Sequence, residues 1–164
     1  MTDFEKLIGA LAQAQVEFVL VGGLAATVHG SARLTQDVDV VYARNDANIT
    51  RLVAALVPYE PYPRGAPPNL PFEWSEATMA RGLNFTLTTT VGDIDLFGEI
   101  PGGGPYEALV DHTISVDLFG YECKCLTLDW LIKTKRAAGR PRDLEAIAEL
   151  EALLEERDGS TDSA

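Results

Sequence analysis

Three carboxylates stand where they could hold a metal ion and help move a phosphoryl group. In Asp37-Val-Asp-Val-Val41, acids alternate with β-branched residues, a strand pattern with an unusual polar face. Asp37 and Asp39 are two apart, so their side chains share one face and their carboxylates lie close together. Like charges that close repel unless a cation sits between them, and a hard divalent ion such as Mg2+ suits an all-oxygen ligand set. Asp95, between Ile94 and Leu96, supplies a third ligand if its strand lies beside Asp37-Val-Asp39. Such a triad could hold one or two Mg2+ ions that activate an attacking oxygen and stabilise a leaving pyrophosphate, as in phosphoryl and nucleotidyl transfer. Asp93 has the same parity as Asp95 but follows Gly92 in what reads as a turn, and is left out of the metal set.

Upstream, Gly22-Gly23 separates the apolar run Phe18-Val-Leu-Val21 from Leu24-Ala-Ala-Thr-Val-His29. Missing side chains there let backbone N–H groups approach a phosphate. Either feature alone is ordinary: Gly-Gly after a strand is commonly a plain turn, and paired acids commonly face solvent. Arg33 is a candidate triphosphate contact or a solvated surface residue. Lys135 and Arg140, in the one dense basic stretch (Lys133 to Arg142), are candidates for nucleotide phosphate, although Arg140 could instead pair with Asp143. His29 reads as a helix-end residue with satisfied hydrogen bonds. Trp74 and Trp130 read as partial core, with Trp74 also placed to stack on a base.

In combination, Val21-Gly22-Gly23, thirteen intervening residues and Asp37-Val38-Asp39-Val40, with Ile94-Asp95-Leu96 later, resemble the polymerase-beta-like nucleotidyltransferases. Val21 to Gly30 followed by Arg33, Thr35 and Asp37 is similar to a small prokaryotic branch that includes toxin components of toxin–antitoxin pairs. Lys135-Arg-Ala-Ala-Gly139-Arg140-Pro-Arg-Asp143 fits a pattern found near the end of that branch. The resemblance covers residues 16–45 and, more loosely, 83–150. It implies a mixed sheet, a glycine turn that binds the triphosphate of an NTP, Asp37 and Asp39 holding Mg2+, and Asp95 as third ligand and general base.

The elements that must position these residues are legible from periodicity. Amphipathic spacing predicts a helix over 3–14; Asp46 is a candidate N-cap for a helix ending near Val57. Residues 58–71 contain six prolines and read as a mobile loop without family signal. Strands are expected over Leu83 to Thr90 and Ile94 to Phe97, a loop over Pro101 to Pro105, and a hairpin over 113–126 hinged at Gly120. Thr127 caps a helix to Ala138 that Gly139 ends, and Pro141 opens a last helix with Leu144, Ile147, Leu150 and Leu154 inward. The order predicts an α+β fold, a mixed sheet flanked by helices. One domain is expected over 1–157, with 158–164 a disordered tail.

Bulk properties narrow the function. The 164 residues are 46% hydrophobic and 23% charged, suited to one domain with a core. No apolar run is long enough to span a membrane and the N-terminus is acidic and amphipathic, so a cytoplasmic protein is expected. A net charge of −12 works against an extended nucleic-acid track. Cys123 and Cys125 lack the further ligands a zinc site needs and read as buried apolar residues. The expected activity is transfer of an NMP group from an NTP to a hydroxyl or phosphate of an acceptor, which could be a small molecule, a tRNA end or a protein. The alternatives are a non-catalytic or toxin-type member of a toxin–antitoxin or regulatory complex with an antitoxin or helical partner, and a metal-dependent phosphohydrolase.

Overall fold

In the computed structural model, which describes residues 1–162 and the side chains of 1–159, a mixed sheet is flanked by helices on both faces, as expected. Its strands are β1 (Phe18–Val21), β2 (Asp37–Tyr42), β3 (Tyr62–Pro63), β4 (Phe85–Thr89), β5 (Gly92–Phe97), β8 (Thr113–Leu118) and β9 (Tyr121–Leu126), ordered β3-β4-β5-β2-β1-β9-β8. A separate minimal hairpin joins β6 (Glu99–Ile100) to β7 (Gly104–Pro105), so the glycine-rich stretch expected to be plain loop is partly paired. The helices are α1 (Phe4–Gln13), α2 (Gly22–Val28), α3 (Asp46–Leu56), α4 (Glu76–Arg81), α5 (Tyr106–Leu109), α6 (Leu128–Ala138) and α7 (Leu144–Asp162).

The centre of the sheet is β2, antiparallel to β1 and parallel to β5. Val38, Val40, Ile94 and Leu96 are fully buried and alternate with the acids, so one face of the sheet is core and the other carries carboxylates. On the core face, Leu7, Ile8 and Leu11 of α1 and Leu52 and Leu56 of α3 are fully buried. This apolar layer keeps β2 and β5 side by side despite the charge they share on the opposite face.

Several local expectations are corrected. Gly22 and Gly23 open α2 rather than precede it. The cap of α3 is Asn45, whose side chain accepts from Asn48 N–H, with Asp46 in the first turn. Helices α4 and α5 were not expected; each is only one to two turns, too short for a clear 3.6-residue period. Asp93 belongs to β5, not to the turn before it. Thr127 stands at the N-cap of α6, yet its buried hydroxyl has no hydrogen-bond partner among the described residues. Gly139, at φ 65°, ends α6 in the left-handed conformation expected of it. Pro141 opens a short 3-10 turn ahead of α7. Along α7, Leu150 is buried and Leu144 is exposed, while the helix continues to Asp162 through most of the segment expected to be a tail; Ser163 and Ala164 lie outside the described residues. Among the described residues no helix is long and apolar enough to cross a membrane.

The polar pin of the core face is Asn48, fully buried in α3. Its Nδ2 donates to Glu17 O at 3.0 Å and Ala43 O at 2.7 Å, and its Oδ1 accepts from Glu17 N at 2.6 Å. The amide thus joins α3 to the start of β1 and the end of β2. Truncation would strand three backbone groups, so Asn48→Ala should cost about 2–3 kcal/mol. Urea unfolding should show a lower midpoint with an unchanged slope.

Candidate active site

The acidic residues converge because β2 and β5 run parallel in a register that sets Asp37 opposite Asp93 and Asp39 opposite Asp95. Residues directly opposite in a sheet project from the same face, so four carboxylates form a two-by-two grid. One carboxylate oxygen from each of Asp37, Asp39 and Asp95 lies within 4.8 Å of the other two, the convergence that depended on a strand pairing invisible in the sequence.

Those three residues line a cleft of about 560 Å3 between the acid face and α6. Gly22 also lines it, and Lys135, Arg140 and Arg142 bring positive charge to the opposite side. Phe97, Ile100, Pro101 and Leu131 give the same cleft apolar wall. Lys135 and Arg140 share one partner, Asp143: Lys135 Nζ is 3.8 Å from its Oδ1 and Arg140 Nε donates to its Oδ2 at 2.6 Å.

The two glycines differ in position. Gly22 lies at φ 66°, where a Cβ would fall inside the Asp39 carboxylate, so the close approach of α2 to the acid pair requires glycine. A Cβ on Gly23 would meet Thr35 instead. Gly23 and Arg33 line a smaller neighbouring hollow that shares Lys135 with the main cleft. There Arg33, half exposed, pairs with Glu145 at 3.6 Å.

A residue not anticipated from the sequence completes the acid face. Arg64 follows β3 in the proline-rich segment, and its guanidinium reaches across β4 to the carboxylates. Its Nη2 donates to Asp95 Oδ1 and to Leu87 O, both at 2.7 Å. Its Nη1 lies 3.6 Å from Asp37 Oδ2 and its Nε 3.4 Å from Asp93 Oδ2. No spacing motif marks Arg64; the one available signal is that it is the sole basic residue among the six prolines.

Arg64 makes no ion pair with Asp39, which among the described residues feels positive charge from Lys135 at longer range. Asp39 Oδ1 is buried and makes no hydrogen bond among the described residues. Burial, followed by the charges of Asp95 and Asp37, pushes the Asp39 carboxyl up to about 8. Asp37 is also raised, first by burial and then by Asp95, with Arg64 acting against the shift. An orphaned, desolvated oxygen within a three-carboxylate set fits a hard divalent cation, which would supply the missing charge and an electron-pair acceptor.

The remaining candidates are structural. His29 Nε2–H donates to Leu126 O at 2.8 Å and its Nδ1 accepts from Arg157 at 3.3 Å; burial lowers its affinity for a second proton. Trp74 Nε1–H donates to Val53 O at 3.0 Å. Trp130 stacks on His112 with centroids 3.9 Å apart. Cys123 and Cys125 are buried on one side of β9, their thiols pushed up to about 11 and 12 by desolvation.

A pH dependence follows for the metal-free protein. A carboxyl whose folded-state pKa is raised binds its proton more tightly when folded, so its stabilisation is complete below the ordinary value of about 4 and is lost as pH rises towards 8. The thermal midpoint should therefore fall across this range, and Asp39→Asn should flatten the fall. Calorimetric melts in chelator-treated buffer measure both curves.

No family model matches the chain, and no curated protein matches it in sequence. Solved structures do. The lincosamide antibiotic adenylyltransferase LnuA, bound to lincomycin, superposes with a TM-score of 0.60 at 13% identity, covering 93% of this chain and 98% of that one. ANT(2")-Ia, in complex with adenylyl-2"-tobramycin, superposes with a TM-score of 0.55 at 14% identity, covering 96% of this chain and 88% of that one. The chain therefore has the nucleotidyltransferase-like fold that its Gly-Gly and Asp-Val-Asp spacing led one to expect.

Proposed function

We propose that the chain is a Mg2+-dependent nucleotidyltransferase that moves an NMP group from an NTP to a hydroxyl of a small-molecule acceptor. The observation that carries this is the buried, unpartnered Asp39 oxygen inside the Asp37–Asp39–Asp95 cluster, in a cleft whose other side is basic. One wall suits a cation and the other suits phosphate. The fold shared with two adenylyltransferases supports the same reaction class.

In this reading Asp37, Asp39 and Asp95 would hold Mg2+, which when bound offsets the triphosphate charge and that of the departing pyrophosphate. Gly22 lets backbone come close to the nucleotide, and Lys135 and Arg140 exchange part of their hold on Asp143 for phosphate oxygens. The acceptor oxygen attacks the α-phosphorus, the bond to the bridging oxygen of pyrophosphate breaks, and Asp95 accepts the hydroxyl proton. A small acceptor is favoured over tRNA because the net charge of −12 repels a polyanion. The two similar structures hold an antibiotic or its adenylylated product, which supports the same choice. A non-catalytic or toxin-type role in a toxin–antitoxin or regulatory complex and phosphohydrolysis are the competing assignments, and the products separate transfer from hydrolysis and from the absence of catalysis.

Two measurements test this. Asp39→Ala should lose Mg-NTP binding measured by calorimetry, and equal binding by both proteins would sink the metal site. Incubation with each α-labelled NTP and a panel of polyhydroxylated small molecules should give a labelled acceptor and pyrophosphate, and Asp37→Ala should lower the rate by about a hundred- to a thousandfold. Free NMP without labelled acceptor would point to hydrolysis, and label on cellular RNA or protein would overturn the small-molecule assignment.

A further inference from the structure

The acid grid is shared between two cation positions. Arg64 holds the triangle Asp37–Asp93–Asp95, while the triangle Asp37–Asp39–Asp95 has the spacing to hold a metal ion. The two triangles have Asp37 and Asp95 in common, the diagonal of the grid. A guanidinium and a divalent ion seated there would neutralise the same two carboxylates and repel one another.

The backbone of Arg64 is anchored, since its N–H donates to Thr86 O at 3.0 Å. Its side chain is less rigidly held. Among the described residues only Nη2 makes hydrogen bonds, to Asp95 and Leu87, and the buried Nε has no hydrogen-bond partner although it faces Asp93 at 3.4 Å. At Asp93 and Asp37 the guanidinium thus acts chiefly as a charge, not as a fixed fork.

Resting on the metal-nucleotide reading above, we propose that Arg64 is a specificity-determining residue that makes the site prefer a metal–nucleotide complex to the free metal ion. A bare divalent cation held by Asp37 and Asp95 would meet, as a like charge, the guanidinium that engages the same two carboxylates, and for charges a few ångströms apart that is a penalty on the order of tenfold in affinity even in a water-like dielectric. A metal ion arriving on a triphosphate belongs to an anionic complex, which the same guanidinium attracts. Arg64 thereby offsets part of the charge of the acid grid while disfavouring occupation by metal alone.

The test is calorimetric titration at about pH 8 with Mg2+ alone and with Mg2+ plus a non-hydrolysable NTP analogue. It uses the full chain and its Arg64→Gln, Arg64→Lys and Asp39→Asn variants, each checked for folding by circular dichroism. Arg64→Gln should bind free Mg2+ about tenfold tighter and lose about tenfold of the preference for the nucleotide complex, while Arg64→Lys, which keeps the charge, stays near the parent on both. Unchanged or weaker free-Mg2+ binding in Arg64→Gln overturns the proposal, because Arg64 would then only shape the carboxylates. Tighter binding in Arg64→Lys as well also overturns it, because charge would not be the cause. If Asp39→Asn binds Mg2+ like the parent, the metal site itself fails and the proposal falls with it; a weakened Asp39→Asn beside an unchanged Arg64→Gln removes the proposal alone.

Discussion

Four carboxylates on one face of two adjacent parallel strands set the electrostatic problem that the rest of the site answers. Asp37, Asp39, Asp93 and Asp95 are forced together by the β2–β5 register, and mutual repulsion there works against that pairing. The opposing force lies on the other face of the same strands. Val38, Val40, Ile94 and Leu96, fully buried, hold the strands in place through apolar burial worth a few kcal/mol for each large side chain. The acids cannot separate without breaking the core.

Given that constraint, the surrounding residues divide the charge unevenly. Arg64 engages Asp37, Asp93 and Asp95 and leaves Asp39 pressed against Gly22 with an orphaned oxygen. Asp39 is thus a carboxyl whose proton is held more tightly by burial and by the charges of Asp95 and Asp37, so an incoming cation would relieve its repulsion with both neighbours. On the other side of the cleft, Asp143 restrains Lys135 and Arg140, holding positive charge where an anion would meet it. Polar residues so arranged are costly to stability, and such cost is characteristic of sites shaped for binding.

The comparison with solved structures bears on the fold, since identities of 13–14% leave most side chains different. The strand arrangement of this chain explains why the glycine pair stands where it does ahead of the acid pair. The antiparallel β1–β2 pair brings Val21 opposite Asp39, so the residue after Val21 must pass the carboxylate closely, and only glycine does so without collision. Sequence spacing and sheet geometry here express one steric requirement.

The sequence by itself determined everything set by local periodicity or by a single backbone requirement: α1, α6, the short buried β1, the alternation of β2, the glycine that ends α6, and Asp37 with Asp39 on one face. Helices α4 and α5 escaped it because one or two turns carry too few residues to show a period. Leu144 escaped it because apolar spacing shows that a helix has a stripe, not how far the partner surface extends. Asp95 is a candidate from the sequence, but its meeting with Asp39 required the parallel β2–β5 pairing, formed across an intervening stretch of some fifty residues. Tertiary structure alone placed Asp93 in the strand and brought Arg64 from the proline-rich segment onto the acids. The physical reason is that charge interacts through space and not along the chain: a lone arginine in a loop has no local partner to announce it, and its role exists only once β3, β4, β5 and β2 lie side by side.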